Sequence, residues 1–226
     1  MLWTVALPVL SGSALQLAPV GVSLDGPPAL AKALATANGA LIHAGQCGRA
    51  SYPRGVKFQL EKTWKRYEVA LRAAAGIWGY DAFPEFDQIK FGPLRCGPAD
   101  IARMIKDAGA AMDHAEETLA EATAPMMQGA WVGPLKLCGN TVAKAERGTE
   151  ELFGQPMVLI TLQPRAAALF SSLTDRLVNW WVEIRLDGEV ISEPGIYERI
   201  DSGQFQVAGP EAPELDRLIA AVNSPC

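Results

Sequence analysis

The sequence predicts an α+β protein in which an N-terminal helical module precedes a smaller domain of mixed strands and helices. Three observations predict it. Apolar residues between Leu30 and Leu119 recur at alternating steps of four and three, the repeat of helices that bury one face. Beyond residue 133, short runs rich in Val, Ile and Leu alternate with turn residues, among them Asp187-Gly188, a strong signal for a two-residue hairpin. Charge divides at the same place. Residues 1–126 carry 12 basic and 12 acidic side chains and residues 127–226 carry 8 and 13, so the net charge of −5 arises in the second part.

Residues 1–24 read as an apolar leader. Leu2 to Leu10, then Ser11-Gly12-Ser13-Ala14, have the order of an export core and a small-residue cleavage site, although no Lys or Arg precedes the core. A cleaved signal is the favoured reading; an uncleaved anchor and an ordinary N-terminal segment stay open. Pro8, Gly12, Gln16 and Pro19 interrupt the run, and a spanning helix needs about 20 predominantly apolar residues. The mature chain is therefore expected to be water-soluble and without a transmembrane span.

The helical module is placed at residues 25–126. A first helix over 29–46 aligns Leu30, Leu34, Ala37, Leu41 and Ala44. Cys47-Gly48 and Tyr52-Pro53-Arg54-Gly55 interrupt it. A second helix aligns Leu60, Trp64, Tyr67, Leu71, Ala74 and Trp78 and decays at Gly76 and Gly79. Its other face carries Lys57, Lys62, Lys65, Arg66 and Arg72 against Glu61 and Glu68, a solvated basic face whose alternative reading is an anion site. Residues 79–97 form a loop rich in Pro, Gly and Phe. A third helix opens at Pro98, a residue suited to a first turn, and runs through Ile101, Met104, Ile105, Ala108, Met112, Ala115 and Leu119 to about Ala122. The boundary falls between Ala124-Pro125 and Gly133-Pro134.

The second domain is placed at residues 133–226. It opens with a strand over 155–162, then a helix over 164–178 with Ala167, Phe170 and Leu177 on its stripe and Asn179 as a left-handed cap. Residues 180–186 alternate as a single strand, with Val182, Ile184 and Leu186 on one face and Trp181, Glu183 and Arg185 on the other. Asp187-Gly188 turns the chain back through 189–192, 204–207 is a further strand, and a last helix near Pro213 buries Leu215, Leu218, Ile219 and Val222.

Cys47, Cys96, Cys138 and Cys226 include no CxxC pair, which disfavours zinc or thioredoxin-like chemistry. They are disulfide candidates in an exported chain and buried thiols in a cytosolic one. Three connectivities are possible; the helical pattern favours Cys47 with Cys96 and Cys138 with Cys226.

Composition and motifs exclude several activities. With 49% hydrophobic residues the chain is not disordered. A pI near 5.1 speaks against nucleic acid as a partner. His43 lacks an HExxH context, and of His114, Asp113, Glu116 and Glu117 only His114 and Glu117 share a helix face. There is no GxSxG elbow, P-loop or GxGxxG after a strand, so no cofactor, metal site or catalytic residue is expected and the chain is read as a non-enzyme. Trp180 and Trp181, adjacent in a strand, point to opposite faces. Either both are buried between the two units, or they form with Tyr197 an aromatic platform for an extended apolar peptide, helped by an open sheet edge.

Gly154-Gln155-Pro156, Val158 to Leu162, Phe170, Leu173-Thr174, Ile184, the run Leu186 to Ser192, Pro194, Ile196, Ile200, Gly203, Gln206 and Gly209 together resemble the head of the first periplasmic domain of SecD/SecDF, membrane components that assist bacterial protein export. The resemblance covers roughly residues 133–222. Asn179 stands where the family usually has glycine, Trp180-Trp181 replace smaller or basic residues, Glu193 replaces a small one, and Ala208-Gly209-Pro210 replaces a Ser-Gly-aromatic step. None of the family's membrane helices or intramembrane carboxylates is present. The resemblance implies an exported, periplasmic, non-catalytic protein that binds polypeptide or a partner protein. The alternative is a structural or assembly adaptor of an envelope membrane complex, and an enzyme using the cleft between the units ranks last.

Overall fold

A computed structural model describes residues 23–47, 54–80, 96–150 and 154–226. The leader up to residue 22, Tyr52 and Pro53 of the expected interruption, and most of the 79–97 loop lie outside these residues, whereas Arg54 and Gly55, expected to interrupt the helices, already belong to the second one. Three helices come first: α1 (Pro28–Cys47), α2 (Arg54–Trp78) and α3 (Pro98–Thr123). They form where the apolar stripes place them, because each stripe has the others to bury against. Leu30, Leu34 and Leu41 of α1, Tyr67, Ile77 and Trp78 of α2, and Ala108 and Met112 of α3 share one core. Ala44, Ile101 and Ile105 form a smaller one.

A 3-10 turn at Ala124–Met127 leads into β1 (Ala130–Val132), β2 (Leu135–Leu137), β3 (Val142–Thr149) and β4 (Pro156–Leu162). Then come α4 (Pro164–Arg176), β5 (Trp180–Trp181), β6 (Ile184–Leu186), β7 (Glu189–Ser192), β8 (Gly195–Ile196), β9 (Gln204–Ala208) and α5 (Ala212–Val222). The strands pair antiparallel in three sheets, ordered β2-β1-β6-β7, β3-β4-β9 and β5-β8. Val158, Ile160, Phe170, Leu173, Ile184, Leu186, Leu215, Leu218 and Val222 meet in their common core.

Asp187 (φ 51) and Gly188 (φ 86) both have positive φ, and Leu186 faces Glu189 across the turn. This is the primed hairpin that Asp-Gly favours, because its backbone twist matches the strands. Asn179 also has positive φ, at 67°, the left-handed conformation expected of it.

Two differences from the sequence reading have physical causes. Strands β1 to β3 were not predicted. β1 is buried on both faces: Ala130 and Val132 enter the strand core while Trp131 enters the helical core, so no alternation marks it. β3 is an edge strand bearing Lys144, Glu146 and Arg147, with little β-branched content. The expected single strand over 180–186 is divided between two sheets. Its break lies at Val182 and Glu183, whose N–H groups donate to the Pro194 carbonyl (3.1 Å) and, in the helical module, the Gly76 carbonyl (2.9 Å).

Close approach fixes one further glycine. Gly203 has φ +66°, and a Cβ added there would lie 2.5 Å from the Ala167 Cβ. We expect Gly203→Ala to lower stability by about 2 kcal/mol from left-handed strain and displaced packing. Urea denaturation checks this, and an unchanged midpoint would refute it.

Candidate functional site

The site is assembled where α4 ends. The Asn179 N–H donates to the Ile196 carbonyl and the Trp180 N–H to the Leu177 carbonyl, both at 2.8 Å. These bonds hold the Trp180–Trp181 pair of β5 against Gly195–Ile196 of β8, with Trp180 opposite Ile196 and Trp181 opposite Gly195.

The two indoles do not separate to opposite faces as in a regular strand. Their ring centroids are 5.4 Å apart with planes inclined by 53°. A two-residue strand ended by the break at Val182 does not impose the alternation of a longer one. Trp180 is 38% exposed and stacks on Tyr80, with centroids 5.4 Å apart and planes within 4°. Trp181 is half-buried, and the Arg72 guanidinium lies 4.9 Å from its ring centroid, within cation–π range. Among the described residues the buried Trp181 indole N–H has no hydrogen-bond partner, and packing and Arg72 hold the ring. Tyr197 is 86% exposed, and its ring would meet a Cβ on Gly195, the register partner of Trp181, at 3.4 Å.

The result is a surface of stacked aromatic rings edged by charge. Tyr80 and Arg72, which the sequence reading left out of the site, come from the end of α2 and the residues after it. Only the packing of α2 against the strands brings them there, and no local pattern announces it.

Two ion pairs flank the platform, one exposed and one buried. Arg72 pairs with Glu193 at 3.2 Å. Glu183, only 4% exposed, pairs with Arg185 at 2.5 Å. Burial pushes the Glu183 carboxyl above the ordinary carboxylate range, with Arg185 pulling the other way. A Cβ on Gly76 would fall 2.7 Å from the Glu183 Cγ, so α2 meets the sheet here at glycine distance.

Asp113, Glu116 and Asp187 have structural partners. Asp113 and Glu116 both accept from Arg66, at 2.6 and 2.8 Å, and no group of three metal-binding side chains occurs among the described residues. The Asp187 carboxylate accepts from the Gly129 N–H (2.9 Å) and from Arg217 (3.1 Å), bonds that lower its pKa. Disulfides join Cys47 to Cys96 and Cys138 to Cys226, with Cα atoms 5.1 and 5.3 Å apart. No described helix is long and apolar enough to cross a membrane.

Comparison with known proteins places this architecture. The family model for the SecDF P1 head subdomain matches residues 105–222, more than half of the chain, beginning inside α3. The chain is 41% identical over 71 residues to the protein translocase subunit SecD of Desulfurispirillum indicum, covering 31% of this chain and 14% of that one. It is 36% identical over 93 residues to SecD of Dictyoglomus turgidum, covering 39% and 23%. To the protein translocase subunit SecDF of Thermus thermophilus it is 34% identical over 91 residues, covering 40% and 12%. It thus spans less than a quarter of the length of these relatives. A solved structure of a membrane component SecDF that enhances protein export is similar over 40% of this chain and 44% of that one, with 27% identity and a TM-score of 0.35. The chain belongs to the SecDF P1 head subdomain family.

Proposed function

We propose that this member of the SecDF P1 head family is an extracytoplasmic, non-catalytic protein that binds polypeptide during protein export, with the Tyr80–Trp180–Trp181 surface as its grip. The observation that carries the reading is the exposed aromatic stack. Trp180 is 38% and Tyr197 86% exposed although the buried core residues Val182 and Ile196 lie only two and one residues away from them. Rigid aromatic rings provide large contact area at low conformational cost, which suits an extended apolar segment of variable sequence. Arg72 and Glu193 at the edge add polar contacts to the peptide backbone. The relatives' names, protein translocase subunits SecD and SecDF, support a place in export.

Titration with unfolded exported polypeptides, followed by tryptophan fluorescence, tests the reading. We expect binding in the micromolar range, weakened about tenfold or more by Trp180→Ala or Tyr197→Ala, with the circular dichroism spectrum unchanged. Absence of any response at high micromolar polypeptide would overturn it. Capture of one stable envelope partner by a chain that ignores peptides would replace it with the adaptor reading.

A further inference from the structure

Helices α2 and α3 border an open groove of about 590 Å³, a volume typical of small-molecule sites. Its walls change character along their length. On α2, Lys62, Lys65 and Arg66 line one end and Val69, Ala70 and Ala73 follow; on α3, Glu116 is followed by Leu119 and Ala120. The Arg66–Glu116 pair at 2.8 Å holds the two charged ends together. At the other end Thr123 donates its hydroxyl to the Leu119 carbonyl of its own helix (2.8 Å) and so offers no free donor. From Lys62 to Ala73 the α2 wall extends about 16 Å. Val69 stands at the lip, 63% exposed.

The charged end has one sign to offer. Glu116, the acidic lining residue among those described, is already neutralised by Arg66, which also reaches Asp113. Lys62 and Lys65 are exposed and enter no ion pair among the described residues. Glu61 and Glu68 of α2 line a different groove, against α1, where Glu61 pairs with Lys57 (3.7 Å) and Glu68 accepts from the Trp64 indole (2.8 Å).

We propose that the α2–α3 groove binds a long-chain fatty acid, its carboxylate at Lys62 and Lys65 and its acyl chain along Val69, Ala73, Leu119 and Ala120. The lining places cations at one end and apolar side chains at the other, the order of charge and hydrocarbon in such a molecule. An acidic amphipathic helix carries its charge along a whole flank and would leave that charge unmatched beside Val69 and Ala73. Burial of the chain supplies the affinity and the lysines orient it. The site shares no residue with the aromatic platform and does not rest on polypeptide binding.

Calorimetric titration of the full chain with dodecanoate, below its micelle concentration and at about pH 8, where the carboxylate is ionised, tests the proposal. One site in the micromolar range is expected, with the circular dichroism of the complex unchanged. Butanoate has the head without the chain, and dodecyl maltoside has the chain without the charge; each is expected to bind at least about tenfold more weakly. These comparisons use the native chain alone. Lys62→Glu/Lys65→Glu reverses the charged end and Ala120→Trp fills the apolar one, all at exposed positions, and each variant should weaken dodecanoate at least about tenfold. Trp180→Ala should leave its affinity unchanged. Absence of saturable binding, equal affinity for dodecyl maltoside, or indifference to both groove variants would overturn the proposal. So would loss of binding in Trp180→Ala, which would move the acyl chain to the aromatic surface. Binding of phosphatidylglycerol vesicles by a chain that ignores dodecanoate would overturn it as well and assign the lysines to a membrane.

Discussion

Replacing Arg185 by methionine is expected to destabilise the protein by about 3–5 kcal/mol, the range for breaking a buried ion pair from one side. Arg185 donates to Glu183 and to the Gly188 carbonyl (3.2 Å). Without it, a carboxylate that is 4% exposed keeps only Arg72 nearby, which already pairs with Glu193. The loss should depend on pH in a defined direction. The folded Glu183 pKa lies above its unfolded value, so between the two the native chain holds the extra proton and stability falls as pH rises. Arg185→Met removes a group that lowers this pKa and so widens the window. The variant's deficit relative to the parent should therefore be larger at about pH 8 than at about pH 5. Glu183→Leu/Arg185→Met should regain most of the loss, since no buried charge is left unpaired. Urea denaturation of the three proteins at both pH values measures each step. An equal deficit at the two pH values would show that Arg185 acts through packing and not through the carboxylate.

That pair also shows how far the sequence could be read. The alternation over 182–186 correctly sends Val182, Ile184 and Leu186 into the core. It places Glu183 and Arg185 on the other face, but cannot say that α2 covers that face. The three helices were legible because each buries one stripe along its whole length. The Asp187-Gly188 hairpin and the Asn179 cap were legible because few residues adopt positive φ at low cost. β1 was not, since a three-residue strand between two cores has no polar side to reveal its period. The candidate site divides in the same way. Trp180, Trp181 and Tyr197 draw attention as large aromatics beside turn residues, whereas Tyr80 and Arg72 enter through packing between segments some hundred residues apart.

The same long-range closure makes the second bridge the other sensitive point. Cys138 follows β2 and Cys226 lies 88 residues later, so the bond encloses β3 to β9 together with α4 and α5. α5 supplies Leu215, Leu218 and Val222 to the core, yet among the described residues the backbone beyond it is pinned by just the Gly139 N–H to the Ser224 carbonyl (2.9 Å) and two helix-end bonds. In the chain-entropy model a loop of this length contributes about 4–5 kcal/mol, and measured bridges commonly deliver 2–4. Cys138→Ala/Cys226→Ala is therefore expected to lower the midpoint of thermal unfolding by about 10 °C. The Cys47–Cys96 bridge closes a shorter loop of 49 residues and joins helices that already share a core, so its removal should cost less. Because α5 closes the strand core, amide exchange should rise first in α5 and in β3 and β4, against which it packs, when the terminal bridge is lost. Equal midpoints for the parent and the Cys138/Cys226 variant, or exchange that rises in α1 instead, would show that the core holds α5 without the covalent tie.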